Sequence, residues 1–172
     1  MLNISPPNFI FCPFCGNKLS TRIEEGKKRK YCQNDNWTYY PHVTASAGIV
    51  IFNGSKVFLV KRKREPYSGK WMFPAGFIDF GEYPSETAVR EAAEEAGKKV
   101  SAPEFINITQ IEDDPRELGH FSFFYKANFE SDVDVTDKEE NQDMGWFEIQ
   151  NLPEIGWKSH QKIAKMIQEG KV

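Results

Sequence analysis

The stretch from Gly76 to Lys98 constrains this chain more than any other part of its sequence. It begins in a turn-rich loop and continues into a segment whose apolar residues recur at helical spacing and can pack on a sheet: Val89, Ala92, Ala93 and Ala96. Glu91, Glu94 and Glu95 stand at positions i, i+3 and i+4, so their carboxylates can converge on one side of the helix. Like charges at this spacing repel, so a cation is expected among them, and Mg²⁺ and Mn²⁺ prefer oxygen ligands.

Seven residues of this stretch form a pattern of fixed spacing: Gly76, Glu82, Arg90, Glu91, Glu94, Glu95 and Gly97. A solvated acidic face would explain EAAEE alone, but about 7% usage per residue type makes the full pattern a chance event on the order of 10⁻⁸ per starting position. The pattern resembles the signature sequence of the Nudix hydrolases, with all seven fixed residues in place. It departs from the family at Lys98, where an aliphatic residue is usual, and Val100 can supply the missing apolar contact.

The resemblance implies an α/β fold, a Nudix α/β/α sandwich with a mixed sheet. It also implies ligands for Mg²⁺ or Mn²⁺, with Glu82 serving either the loop or a further metal: Glu91, Glu94, Glu95, Glu82 and the backbone carbonyl of Ala75. Glu91, Arg90 and Glu94 are the expected catalytic residues. Glu91 binds metal or helps to deprotonate the attacking water, and Arg90 orients Glu91 by a charge-assisted hydrogen bond.

The flanking sequence predicts the elements of that sheet. Residues 43–52 and 56–60 form two strands around an Asn53-Gly54 hairpin turn. Residues 105–111 and 120–129 alternate like strands, and Trp146-Phe147 marks another. A final helix is expected with Ser159 as its cap and His160 on its surface.

Other side chains are candidates for substrate or metal. In each case a plain structural role competes: a solvated strand end for the cations at 61–64, core packing for Trp71, and a surface loop or acidic surface for the rest. The substrate candidates are Arg62, Trp71, Arg116 and Glu117. Many family members carry an extra metal-binding or base carboxylate before a Trp-Phe strand, which makes Glu140 the candidate, with Glu139 second.

Residues 1–41 are predicted to form a small zinc-ribbon-like module ahead of a Nudix domain at 42–172. Cys12, Cys15 and Cys32 have the spacing of a zinc ribbon, and Asp35 stands where the fourth cysteine would be. A structural Zn²⁺ is expected, because so small a module needs such a link. His42 is a less favoured fourth ligand, and a ribbon without metal or with a disulfide is the alternative.

A zinc ribbon before a Nudix domain resembles two groups of enzymes. The NADH pyrophosphatases carry a Ser-Gln-Pro-Trp-Pro-Phe-Pro motif after the signature, which residues 99–105 do not match. The run Trp71-Met72-Phe73-Pro74-Ala75-Gly76-Phe77 is similar to that of ADP-ribose and FAD pyrophosphatases. The resemblance therefore implies metal-dependent hydrolysis of a nucleoside diphosphate linked to another moiety. An NADH pyrophosphatase, an RNA-end (cap) hydrolase and a non-catalytic nucleotide-binding regulator are the alternatives.

Composition narrows the class of protein further. The chain of 172 residues is 40% hydrophobic and 27% charged, and its net charge of -3 disfavours a general nucleic-acid binder. No run approaches the length of a membrane span, and the first residues do not resemble a signal peptide. A cytoplasmic location is expected from these features and from the unpaired cysteines, and a homodimer is expected from the family resemblance alone.

Overall fold

The computed structural model describes residues 8–116, 119–137 and 139–172. The described chain divides into two compact units, one ending at Val43 and one running from Thr44 to Val172. Glu117, one of the predicted substrate contacts, lies outside the described residues.

The first unit is built on a three-stranded antiparallel sheet. Its strands are β1 (Ser20–Glu24), β2 (Lys27–Cys32) and β3 (Trp37–Tyr39), in that order across the sheet. A turn at Glu25 and Gly26, both with positive φ, joins the first two strands. The core of the unit is small and comprises Cys12, Leu19 and Cys32, with Trp37 packed against them.

The second unit is organised around an eight-stranded sheet. Its strands are β4 (Ala45–Asn53), β5 (Lys56–Arg62), β6 (Trp71–Met72), β7 (Ala75–Phe77), β8 (Lys98–Val100), β9 (Glu104–Gln110), β10 (Phe121–Asp132) and β11 (Asn141–Glu148). The main order is β11-β5-β4-β10-β8, and β6, β7 and β9 pair with β5, β4 and β10. The sheet is mixed, because β10 runs parallel to β4 while the other pairs are antiparallel.

Helix α1 (Pro84–Glu94) covers one face of this sheet through its alanines. Ala88 and Ala92 of the helix, and Ala96 just after its end, join the same buried cluster as Ile49. The prediction that Val89 packs on the sheet was wrong, because Val89 is exposed. Glu91 and Glu95 are buried instead, so two carboxylates occupy part of the side of the helix that faces the sheet.

Helix α2 (Lys158–Gln168) covers the opposite face. Ile163 and Ile167 pack with Val50 of β4, and Val50 points away from its neighbour Ile49 because side chains alternate along a strand. The two covered faces confirm the predicted α/β/α sandwich. A 3₁₀ turn, Ile149–Asn151, links β11 to the segment before α2.

The ends of both helices depend on local chemistry. Pro84 is the first residue of α1, and the Tyr83 N–H before it donates to Glu86 at 2.8 Å. The predicted cap of α2 was wrong: Trp157 precedes the helix, and Ser159 lies buried inside its first turn. None of the described helices is long and apolar enough to cross a membrane.

Candidate active site

Arg90 is the centre of the charged network on α1. Its Nε and Nη2 donate to the two oxygens of Glu82 at 2.8 and 3.0 Å. Its Nη1 donates to Glu91 at 2.7 Å and to Glu94 at 2.9 Å, and Nη2 also reaches the carbonyl of Phe77 at 3.0 Å. The guanidinium therefore separates carboxylates that would otherwise repel, and it holds the loop before the helix in place.

Glu82 is fully engaged in this network. Besides Arg90, its carboxylate accepts from the Thr87 hydroxyl at 2.7 Å and the Asp79 N–H at 3.1 Å. The hydrogen bonds from Arg90, followed by the bond from Thr87, lower the pKa of Glu82 to about 2. These contacts favour the loop-supporting role, and a metal at Glu82 stays a prediction.

Glu91 lies buried against the backbone of β7. A Cβ built on Gly76 would come within 2.0 Å of Oε1 of Glu91, so a side chain at that position would collide with the carboxylate. Burial raises the pKa of Glu91 to about 7, against the opposing effect of Arg90. The absence of a side chain at Gly76 is what allows this carboxylate to lie against the strand.

Glu95 is the most deeply buried of the helix carboxylates, with 2% of its surface exposed. Its Oε2 accepts the N–H of Ala75 at 3.0 Å, whereas its Oε1 is buried and has no hydrogen-bond partner. Burial, followed by the nearby charges of Glu140 and Glu91, raises the pKa of Glu95 well above its ordinary value. An orphaned oxygen in an acidic, desolvated position is a donor suited to a hard cation.

The two candidates on the loop before β11 differ in where they point. Glu140 faces the helix carboxylates, and its Oε1 lies 3.5 Å from Nη1 of Arg62, a largely buried side chain. Glu139 is exposed and pairs with Lys63 at 2.7 Å. The structure therefore brings Glu140, and not Glu139, to the carboxylate cluster.

A cavity of about 110 Å³ opens beside this cluster. Ala75, Gly76, Arg62 and Glu140 form part of its wall, so it is continuous with the acidic site. Its other described lining residues are Ser46, Met72, Phe77, Ile111, Asp114, Arg116, His120, Ser122, Trp157, Ser159 and His160.

Some of the predicted substrate contacts line the cavity and others do not. Arg116 lines it and is held by a two-point ion pair with Asp114 at 2.9 and 2.8 Å. Trp71 is not among its described lining residues, because its ring packs on Phe147 with centroids 4.6 Å apart. Trp157 lines the cavity instead. The sequence signal that could have identified it is weak: a large aromatic residue just before a predicted helix.

His160 was wrongly predicted to lie on the helix surface. It is 4% exposed, and its Nδ1 accepts the N–H of Phe73 at 3.2 Å. Its ring stacks on Phe73 with an interplanar angle of 14° and meets Phe124 edge-on. A helical pattern does not reveal a buried histidine whose hydrogen-bond partner, the N–H of Phe73 between β6 and β7, is distant in sequence.

Acid is expected to destabilise the fold through His160. Burial, followed by the charge of Arg62, lowers the pKa of its imidazole from 6.5 to about 3, so below pH 6.5 the unfolded chain binds a proton that the folded chain does not. The contribution of the neutral imidazole to the free energy of unfolding is fully present above pH 6.5. It falls by about 1.4 kcal/mol per pH unit as the pH drops towards 3. Urea unfolding at pH 7 and pH 4.5 should show about 2–3 kcal/mol more loss for the wild type than for His160→Asn, which retains an acceptor for Phe73. Equal losses would contradict this assignment.

The first unit holds a separate cluster of metal-ligating side chains: Cys12, Cys15, Cys32 and Asp35, whose ligand atoms lie within 4.8 Å of one another. Asp35 accepts from Cys12 and Cys32 at 3.1 and 3.2 Å, and the sulfurs of Cys15 and Cys32 are 3.6 Å apart, too far for a disulfide. His42 is exposed, outside this cluster, and its Nδ1 contacts the carbonyl of Tyr40. Within the described ranges this is the one group of three or more ligands so close together, and the α1 carboxylates are spread more widely around Arg90.

Comparisons with known proteins converge on one family. The NUDIX domain matches residues 42–167. An ADP-ribose pyrophosphatase from Methanocaldococcus jannaschii is 30% identical over 154 residues, which cover 87% of this chain and 85% of that protein. A NAD-capped RNA hydrolase NudC from Stutzerimonas stutzeri is 28% identical over 159 residues, and the chain spans 54% of its length. A solved NUDIX hydrolase from Nitrosomonas europaea superposes with a TM-score of 0.74 at 26% identity, covering 94% of this chain and 92% of the other.

Proposed function

Because the chain belongs to the NUDIX domain family, we propose that it is a pyrophosphohydrolase acting on a nucleoside diphosphate linked to another moiety, of the ADP-ribose or FAD type. The observation that supports this most directly is the buried, unpartnered oxygen of Glu95, whose carboxylate bonds the N–H of Ala75 in the cavity wall. The similarity to an ADP-ribose pyrophosphatase over most of both chains supports this substrate class.

The donor set fits Mg²⁺ or Mn²⁺. Glu91, Glu94, Glu95 and Glu140 offer only oxygen atoms, and both Glu91 and Glu95 have raised pKa values because they are buried near other carboxylates. A divalent cation bound there neutralises the charge of the diphosphate and lowers the pKa of bound water. The carbonyl of Ala75 is proposed as a further ligand.

The side chains have separate proposed roles. Glu94, Glu95 and Glu140 hold the cation, and Glu91 accepts the proton of the attacking water. Arg90 fixes the orientation of Glu91 and Glu94 through one guanidinium nitrogen, at 2.7 and 2.9 Å. Water attack on one phosphorus breaks the bridging P–O bond, and two phosphorylated products leave the site.

Hydrolysis of a capped RNA end is the second candidate. It is supported by the similarity to NudC, whose name describes it as a NAD-capped RNA hydrolase. The basic strand β2, KKRKYC, gives the first unit a surface for phosphates. The NADH pyrophosphatase and regulator alternatives are weaker, because the motif after the signature differs and the carboxylate network is complete.

Further parts of the proposal concern the whole molecule. Cys12, Cys15, Cys32 and Asp35 are proposed to hold a structural Zn²⁺ in a module separate from the hydrolase domain. A homodimer and a cytoplasmic location stay predictions from the family resemblance and from the sequence.

The test is Mg²⁺-dependent release of mononucleotide from ADP-ribose, FAD, NADH, dinucleoside polyphosphates and a capped RNA. ADP-ribose or FAD is the expected preferred substrate. A preference for capped RNA, with a steep loss of affinity in salt, would favour the second candidate. Binding without cleavage in either Mg²⁺ or Mn²⁺ would overturn the enzyme assignment in favour of a regulator.

A further inference from the structure

A row of hydroxyl side chains crosses the sheet beneath the start of α2. Ser122 of β10 is in register with Ser46 of β4 on one side and with Thr109 of β9 on the other. All three residues are buried, and Ser46 lies on the same face as Val50, four residues further along β4, which packs under α2. Apolar side chains are expected at buried positions of a sheet, so these hydroxyl groups form an unusual polar surface inside the protein.

Two hydroxyl oxygens in this region have no hydrogen-bond partner. Ser159, in the first turn of α2, is 5% exposed, and its Oγ is buried and unbonded. Thr109 is also 5% exposed, with an unbonded Oγ1. Ser159 lies in the wall of the cavity beside the carboxylate site, and it also lines a second pocket together with Thr109. Its hydroxyl is buried in the empty protein, so a ligand in the cavity bonds it after the side chain turns towards the cavity.

His160 adds a hydrogen-bond donor, its Nε2–H, to the same wall of the cavity. Because its Nδ1 accepts from the N–H of Phe73, the neutral ring carries its proton on Nε2. No described residue accepts from Nε2, and the ring lines the cavity. The wall therefore presents a hydroxyl that can donate or accept next to an N–H that can only donate.

The cavity is close to neutral. Two arginines line it, Arg62 and Arg116, and each is paired with a carboxylate that also lines it, Glu140 or Asp114. Because both arginines are already compensated by a carboxylate, a second anionic group would gain little from them. A neutral ligand rich in hydroxyl groups can satisfy Ser159 and His160 without adding charge.

The cavity is open to solvent on one side, so its size limits only the part of a ligand that enters it, to about one ring. An engineered apolar cavity of about 150 Å³ in another protein holds benzene, and the cavity here is about 110 Å³. It adjoins Gly76 and Glu140 of the proposed hydrolytic site, so its occupant lies within a few bonds of the diphosphate. A sugar attached directly to the second phosphate is a single polar ring that lies a few bonds from the diphosphate, so it fits this cavity.

We propose that Ser159 and His160 recognise the hydroxyl groups of a sugar that is linked through the diphosphate to the nucleoside, and so set the specificity of the site. This inference rests on the proposed hydrolase function. An alkyl group in the cavity makes neither hydrogen bond, so each bond gives the sugar about a tenfold advantage in binding. The sugar makes these bonds within the bound substrate, so they act on kcat/KM.

The experiment compares two substrates that differ only beyond the diphosphate: ADP-ribose and the ethyl ester of ADP on its β-phosphate. Ser159→Ala is expected to lower kcat/KM about tenfold for ADP-ribose and to change it less than about twofold for the ethyl ester. His160→Asn retains the bond to Phe73 but removes the Nε2 donor, and it should show the same selective loss. Ser55→Ala, a hydroxyl on a surface turn bonded to Glu148, is the matched control and should change neither substrate.

The outcomes separate this inference from the function on which it rests. Equal losses on both substrates, or no loss on either, would overturn the recognition of the sugar while leaving the hydrolase assignment intact. A wild-type enzyme that prefers the ethyl ester would overturn it as well. A wild-type protein that cleaves neither substrate would overturn the proposed function and this inference together.

Discussion

Replacing Glu95 with glutamine is expected to lower kcat by about 10²–10³-fold, because the cation that stabilises the transition state by several kcal/mol loses a charged ligand. The buried carboxylate supplies the unpartnered Oε1 that we assign to the cation. A glutamine has nearly the same shape and can still accept the N–H of Ala75, which bonds the carboxylate at 3.0 Å. The loss should therefore reflect the missing charge rather than a displaced helix.

The same substitution should leave the fold equally stable or more stable when divalent cations are absent. Glu95 is 2% exposed, and burial near Glu140 and Glu91 raises its pKa, so the charged form is disfavoured in the folded protein. A neutral amide removes that cost, as is common for residues retained for function at the expense of stability. Thermal unfolding in a chelator, beside kcat in Mg²⁺, measures both effects.

Glu86→Gln is the matched control. Glu86 lies in the first turn of the same helix and caps the N–H of Tyr83, a bond that glutamine can also make. Its kcat should stay within about twofold of the wild type. If Glu95→Gln kept more than a tenth of the activity, or if Glu86→Gln lost as much, the assignment of Glu95 to the cation would not stand.

The signature stretch was the most predictable part of the molecule, because its geometry follows from helical spacing alone. The positions of Glu91, Glu94 and Arg90 in one network required only that the segment be a helix. The prediction that Val89 is buried was wrong for a related reason, because the helical pattern assigns the buried positions to apolar residues before polar ones. Here two buried carboxylates take part of the inner face, and Val89 is exposed.

The residues of the cavity wall could not be predicted from helical spacing. His160 and Ser159 are polar residues on a helix, for which solvent exposure is the ordinary expectation. The burial of His160 depends on Phe73, which is distant in sequence and whose N–H bonds the imidazole. The choice of Glu140 over Glu139 likewise depends on the path of a loop, where Lys63 holds Glu139 outside the cluster.

Removal of zinc is expected to unfold the first unit while the second unit keeps its structure. Among the described residues of the first unit, the buried hydrophobic side chains are Cys12, Leu19, Cys32 and Tyr39, which is too little apolar surface to stabilise a domain of this size. Structural zinc in small domains contributes about 10–16 kcal/mol at neutral pH. The protein as purified should contain one zinc per chain, and a strong chelator should expose the Glu25–Gly26 turn to proteolysis.

Asp35 offers the sharpest test of this metal site, because it is the unusual ligand. Its carboxylate contacts the thiols of Cys12 and Cys32 at 3.1 and 3.2 Å, a position from which an oxygen can complete a four-ligand zinc site. Asp35→Ala should lose zinc at chelator concentrations that the wild type resists, whereas Asp35→Cys should hold it at least as tightly. Gln33→Ala, which changes an exposed residue next to Cys32, should behave as the wild type. Equal zinc retention by Asp35→Ala and the wild type would exclude Asp35 as a ligand, and proteolysis unaffected by the chelator would show that packing alone maintains this unit.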